Sequence, residues 1–129
     1  MIELPDDLAP EEFPEPLDHV AEALGAGVAG ELIRSFGGRS VYFPAGPLGS
    51  DHPLVRALGE DHALAVCELL SMEQVPIPTG AGIVRRRDRR RILQLAGRGL
   101  GVSEIAERVG YSARQVSRIL RGGRGSRAA

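Results

Sequence analysis

Apolar positions along the chain recur with two rhythms. Val28, Leu32 and Phe36 repeat at helical spacing, as do Ala63, Val66 and Leu70, so each trio forms a stripe on one helix face. After each stripe comes a short extended run, Ser40 to Pro44 and then Val75 to Pro78, closed by Pro-x-Gly. Helical spacing returns near Ile92: Ile105, Ala106 and Val109 mark one short helix, Val116, Ile119 and Leu120 a second, and Gly110 the turn between them. The pattern predicts a mostly α protein. Tandem helix-helix-short strand units form an N-terminal body, followed by a C-terminal helix-turn-helix with a supporting helix before it.

The two halves of the body align without a gap at an offset of 34 residues, Ala23–Gly46 against Ala57–Gly80, with 7 of 24 positions identical. Chance supplies about two such matches, or about three in a chain this rich in Ala and Gly, which points to an internal repeat. In each copy a short helix ends at Leu-Gly, a striped helix follows, and a short strand closes the unit. In the first copy Gly37 and Gly38 end the helix before the strand; Ser71 and Met72 take their places in the second. A lone short strand leaves its backbone unpaired, so it needs a partner. Two arrangements provide one: the segments pair within the chain about a pseudo-two-fold axis, or Val41–Pro44 meets its own copy in a second chain. Pro76, which has no N–H to donate, restricts the second segment to an edge and tilts the expectation towards pairing between chains.

In the helix-turn-helix, Ser103 is the expected cap of the first helix, with Glu104 in its positively polarised first turn. Ser112 and Gln115 form a capping-box pattern at the start of the second. That second helix, 112–121, has an apolar back and a front carrying Ser112, Arg114, Gln115, Ser117, Arg118 and Arg121. Such a front suits the DNA major groove, where Arg donates to the O6 and N7 acceptors of guanine and Gln pairs with adenine. A helix pair with a glycine turn is also common in all-α proteins that bind no nucleic acid.

Charge sharpens the division. The chain is nearly neutral, at −1. Residues 1–82 nevertheless hold 14 acidic residues against 3 Arg, and residues 83–129 hold 13 Arg against 3 acids. Three regions follow: an acidic, proline-rich arm over 1–16, expected to be extended or disordered; a duplicated dimerisation-type domain over 17–82; and an Arg-rich linker, helix-turn-helix and frayed basic tail over 83–129. The arm could shield the Arg-rich end, in which case deleting it would tighten non-specific DNA binding. In the linker RRRDRRR, Arg89, Arg90 and Arg91 are candidate phosphate contacts, against the alternative of a solvated charge run. All 16 basic residues are Arg, which GC-rich coding explains as well as function does.

At Gly37–Pro44, GGRSVYFP, the sequence resembles the Mor transcription activator family of Mu-like phages. Its members place a glycine pair and a VYIP-like strand before a C-terminal helix-turn-helix. The resemblance covers roughly residues 20–44 and 99–120. It implies a dimeric activator whose strand lies between two DNA half-sites. Position by position, it makes Gly38, Ser40 and Tyr42 candidates for minor-groove or dimer contacts, and Arg114, Gln115, Ser117 and Arg118 base readers; packing accounts for Tyr42 equally well. The second unit, between strand and reader, departs from the family pattern.

No acid pair, activated nucleophile, phosphate loop or metal set emerges, so the expected protein is not an enzyme and needs no cofactor or metal. His19, His52 and His62 lack ligand spacing and read as surface or cap-region residues. Cys67 reads as a buried structural thiol. No apolar run is long enough for a membrane span. The expectation is a cytoplasmic, nucleoid-associated regulator in a bacterial host, homodimeric, with double-stranded DNA as ligand and RNA polymerase as a candidate partner. The alternatives are a phage DNA-packaging adaptor or small terminase-like assembly protein, and a protein-interaction module.

Overall fold

The computed structural model describes residues 4–128, with side chains up to Gly122. The chain divides into two units, Met1–Val84 and Arg85–Ala129. The fold is mostly α, with one two-stranded sheet among the described residues. Among the described residues no helix is long and apolar enough to cross a membrane.

The first unit runs twice through helix, helix, strand: α1 (Leu17–Leu24), α2 (Ala26–Phe36) and β1 (Ser40–Phe43), then α3 (Pro53–Leu58), α4 (Glu60–Leu69) and β2 (Glu73–Pro76). Gly25 and Gly59 occupy corresponding corners. Each ends one helix and begins the next, with φ 103° and ψ 151° at Gly25 and φ 85° and ψ 162° at Gly59. A side chain disfavours that backbone region, so the Leu-Gly pair carries the corner in both halves. Both expected stripes are buried: Val28, Leu32 and Phe36 on α2, and Ala63, Val66 and Leu70 at α4 and its end. They meet Phe43, Val75 and Ile77 from the sheet in one core.

β1 and β2 pair antiparallel within the chain, Val41 opposite Val75 and Ser40 opposite Pro76. This corrects the lean towards pairing between chains, and the register supplies the reason. The Ile77 N–H donates to the Arg39 carbonyl at 2.8 Å, so the amide of Ile77 faces β1, while the Ile77 carbonyl accepts from Gly38. Bonded and non-bonded pairs alternate along an antiparallel ladder, so Val41–Val75 is bonded and Ser40–Pro76 is not. Pro76 therefore sits where no inward N–H is required. Val41 and Val75 are also the residues related by the 34-residue offset, so the local pseudo-two-fold passes between them.

The glycine pair before β1 has two separate causes. A Cβ on Gly37 would lie 2.6 Å from the Ile33 carbonyl oxygen and 3.1 Å from that of Pro78, which leaves no room for a side chain. Gly38 adopts φ 83°, and its N–H donates to the Ile77 carbonyl. Met72, at the position corresponding to Gly38, keeps the left-handed backbone at φ 62° despite its side chain.

The N-terminal arm is a second correction. Between residues 4 and 16 it folds onto the first unit, through a 3-10 turn at Pro10–Glu12, and buries Leu4, Leu8 and Phe13 in the core. Proline spacing excludes a long helix but permits a turn, and three well-spaced apolar side chains repay the ordering that the acids alone would not. Residues 1–3 of the arm lie outside the described residues.

The Arg-rich linker is helical as well. α5 (Gly80–Gly97) contains the whole RRRDRRR run and gives Ile83 to the first core and Ile92 and Leu95 to a second. Thr79 caps it, its Oγ1 accepting the Gly82 N–H at 2.9 Å. Nothing from Ile83 to Ala96 breaks a helix, and Arg is among the better helix formers. α6 (Val102–Val109) and α7 (Ala113–Ala128) complete the second unit, in which Ile92, Leu95, Ile105 and Val116 form the core. The backbone of α7 is helical past residue 121, and the side chains of the expected frayed basic tail beyond Gly122 lie outside the described residues.

Candidate nucleic-acid interface

The turn between α6 and α7 is built from backbone requirements. Gly110 ends α6 in the left-handed region, φ 77° and ψ 18°, and its N–H returns to the Ala106 carbonyl at 3.0 Å. The chain reverses in Tyr111 and Ser112 and enters α7. Ser112 Oγ accepts the Gln115 N–H at 3.1 Å, and Gln115 Oε1 accepts the Ser112 N–H at 3.0 Å. The capping box legible in the sequence is therefore present with both of its bonds. At α6 the expected cap is corrected. Gly101, not Ser103, precedes the first helical residue, and Glu104 reaches back to the Gly101 N–H at 3.4 Å. Glycine serves as an N-cap without a side chain, and the carboxylate three residues on sets where the helix begins.

α7 is held down by Val116, which is fully buried, with Ile119 and Leu120 half-buried beside it. At 3.6 residues per turn, Arg121, Arg114 and Arg118 lie about 140°, 160° and 200° round the helix from Val116. The three arginines thus form one stripe on the face opposite the core, and all three are exposed. Among the described residues no carboxylate pairs with any of them. Gln115 and Ser112 are exposed at the flank, and Ser117 is half-buried.

On α5, Arg89, Arg90 and Arg91 are exposed, as are Arg85 and Arg86. Asp88 behaves differently. It precedes Ile92 and Leu95 by four and seven residues, on the face turned towards the second core, and its Oδ2 accepts the Tyr111 O–H at 2.9 Å. Burial, and then the hydrogen bond and negative charge of Asp88, hold the Tyr111 phenol above its ordinary range; Arg85 pulls the other way. The pair joins α5 to the residue just before the Ser112 cap. Sequence reasoning passed over it. The one available signal was the single acid within an arginine run, spaced helically from the apolar residues that follow.

Ser40 and Tyr42 are exposed on β1 of the two-stranded ribbon, Tyr42 at 48%, and Gly38 is exposed two residues before the strand. The opposite face of the ribbon buries Phe43 and Val75. Packing therefore does not account for Tyr42 within the described residues. His52 is a cap, its Nδ1 accepting the Leu54 N–H at 3.1 Å at the start of α3. Glu15, Asp18 and His19 bring ligand atoms within 4.8 Å of one another at the solvent-facing start of α1. A protonated His19 would pair with either carboxylate, which explains the trio without an ion. Cys67 is buried, and burial pushes its thiol upward, away from the reactive thiolate.

Residues 84–125 match the family of homeodomain-like domains, a helix-turn-helix class, over the stretch that contains the arginine run, the turn and the arginine stripe. This supports a helix-turn-helix domain of DNA-binding type. No curated protein and no solved structure matches the chain.

Proposed function

We propose that the protein is a sequence-specific, double-stranded DNA-binding transcription regulator of the Mor-like type, non-enzymatic, acting as a homodimer in a bacterial cytoplasm. The observation that carries this reading is the exposed stripe of Arg114, Arg118 and Arg121, paired with no carboxylate among the described residues, facing away from the core of a homeodomain-like helix-turn-helix. A helix of this kind enters the major groove by its N-terminal part, with Ser112 and Ser117 at its flanks and Arg89, Arg90 and Arg91 available to phosphates. One such module covers one half-site, which favours two copies on a palindromic operator. The GGRSVYFP segment supports the Mor-like type, with Ser40 and Tyr42 on the exposed ribbon face, and Gly38 just before it, as dimer or minor-groove contacts. RNA polymerase is the partner an activator of this type requires.

Selection of genomic fragments by the full-length protein, followed by footprinting, tests the reading. Arg118→Ala is expected to lose discrimination between the selected site and random duplex. Replacing Arg89, Arg90 and Arg91 with Ala is expected to weaken all duplexes alike and make the salt dependence shallower, by about 0.9 in slope for each phosphate that is no longer neutralised. Failure to retard any duplex at modest ionic strength would overturn it. The density of exposed arginine on α5 favours one second reading, a DNA-packaging adaptor. That protein would show little sequence preference and assemble into rings.

A further inference from the structure

The outward stripe of α7 consists of donors only. Guanidinium groups have no acceptor, and Arg114, Arg118 and Arg121 are the side chains opposite the buried Val116. The nearby amide that could have broken this uniformity is Gln115, and its acceptor is already engaged: Oε1 takes the Ser112 N–H at 3.0 Å. Bidentate recognition of adenine needs the amide presented to the base edge, oxygen to N6–H and N–H to N7; with Oε1 turned back onto the Ser112 N–H, one of its two lone pairs is used and the amide is oriented by the helix start instead of by a base. Ser112 Oγ is engaged too, by the Gln115 N–H.

From this geometry we infer that each half-site is read through guanine. Arg114 and Arg118 are its specificity-determining residues, and Gln115 is a positioning residue that shapes the helix start instead of touching a base. In the major groove guanine alone offers two acceptors, N7 and O6, to one donor fork; cytosine offers a donor, and adenine one donor and one acceptor. Arg114 and Arg118 are four residues apart, about 6 Å along the helix, close to the rise of about two base-pair steps. The half-site therefore carries two guanines about two base pairs apart, on one strand or on both. This inference rests on the DNA-binding reading proposed above.

Its test uses full-length protein and the duplex obtained by selection, with 7-deazaguanine or 7-deazaadenine replacing one purine at a time. Loss of N7 at either of two guanines is expected to weaken binding about tenfold, while deaza-substitution of adenine leaves it unchanged. Gln115→Glu retains an acceptor for the Ser112 N–H but has no amide donor, and is expected to keep the same base preference at every position. Arg118→Lys keeps the charge and loses the fork, so the salt slope should stay while preference at one guanine disappears; the melting temperature of each variant separates these effects from misfolding. Sensitivity to 7-deazaadenine without sensitivity to 7-deazaguanine, or a base preference altered by Gln115→Glu, would overturn the guanine assignment and leave DNA recognition standing. Binding with no sequence preference, or no binding, would remove both.

Discussion

Met72 shows how one side chain can be carried at a small loss. Its φ of 62° repeats the geometry that Gly38 adopts at the corresponding place in the other half. The left-handed region costs a residue with a Cβ about 1–2 kcal/mol, part of which glycine returns through its greater freedom when unfolded. Met72 is 69% exposed, so its side chain contributes little packing in compensation. Met72→Gly is therefore expected to stabilise the first unit by about 0.5–1 kcal/mol, seen as a higher midpoint in denaturant. Tyr111 sets a limit at high pH. The unfolded chain releases the phenolic proton near the ordinary value of about 10, while the folded chain still holds it, because burial and Asp88 raise the folded value. Above that point the unfolded state binds fewer protons, so stability falls as pH rises through the window between the two values. Tyr111→Phe should abolish this alkaline loss in the second unit while costing about 1 kcal/mol near neutrality through the missing hydrogen bond.

At the scale of elements, the arm and α5 differ most from what their composition implies. Six acids and four prolines in residues 1–16 describe a segment that resists folding, yet Leu4, Leu8 and Phe13 seal one side of the first core. Full burial of such side chains contributes about 1.5–3 kcal/mol each, against about 5–15 kcal/mol for the stability of a whole domain. Deleting residues 1–16 is thus expected to lower the thermal midpoint of the first unit severely, as followed by circular dichroism. A deletion variant that melted like the parent would show the packing to be energetically idle. The arginine run illustrates the converse: a charge pattern typical of a linker continues a helix because no residue in it opposes helical backbone. The helix-turn-helix was far more legible. Its apolar periodicity, the Gly110 turn and the Ser112–Gln115 box each state a local backbone requirement, and local requirements are written in adjacent residues.

Across the whole molecule, the sequence by itself determined the repeated helix-helix-strand grammar of the first unit, the two-part charge distribution and the position of the helix-turn-helix. These depend on periodicity, capping and composition, all of which act over a few residues. Tertiary structure decided the rest. Whether β1 finds β2 or another chain depends on a register that places Pro76 at a non-bonded position, and that register is set by the packing of Phe43, Val75 and Ile77. Whether Asp88 belongs with the arginines or with the core depends on Tyr111, distant in sequence and 2.9 Å away in space. In each case a strand or side chain had two chemically sound partners, and only the folded chain brought one of them within reach.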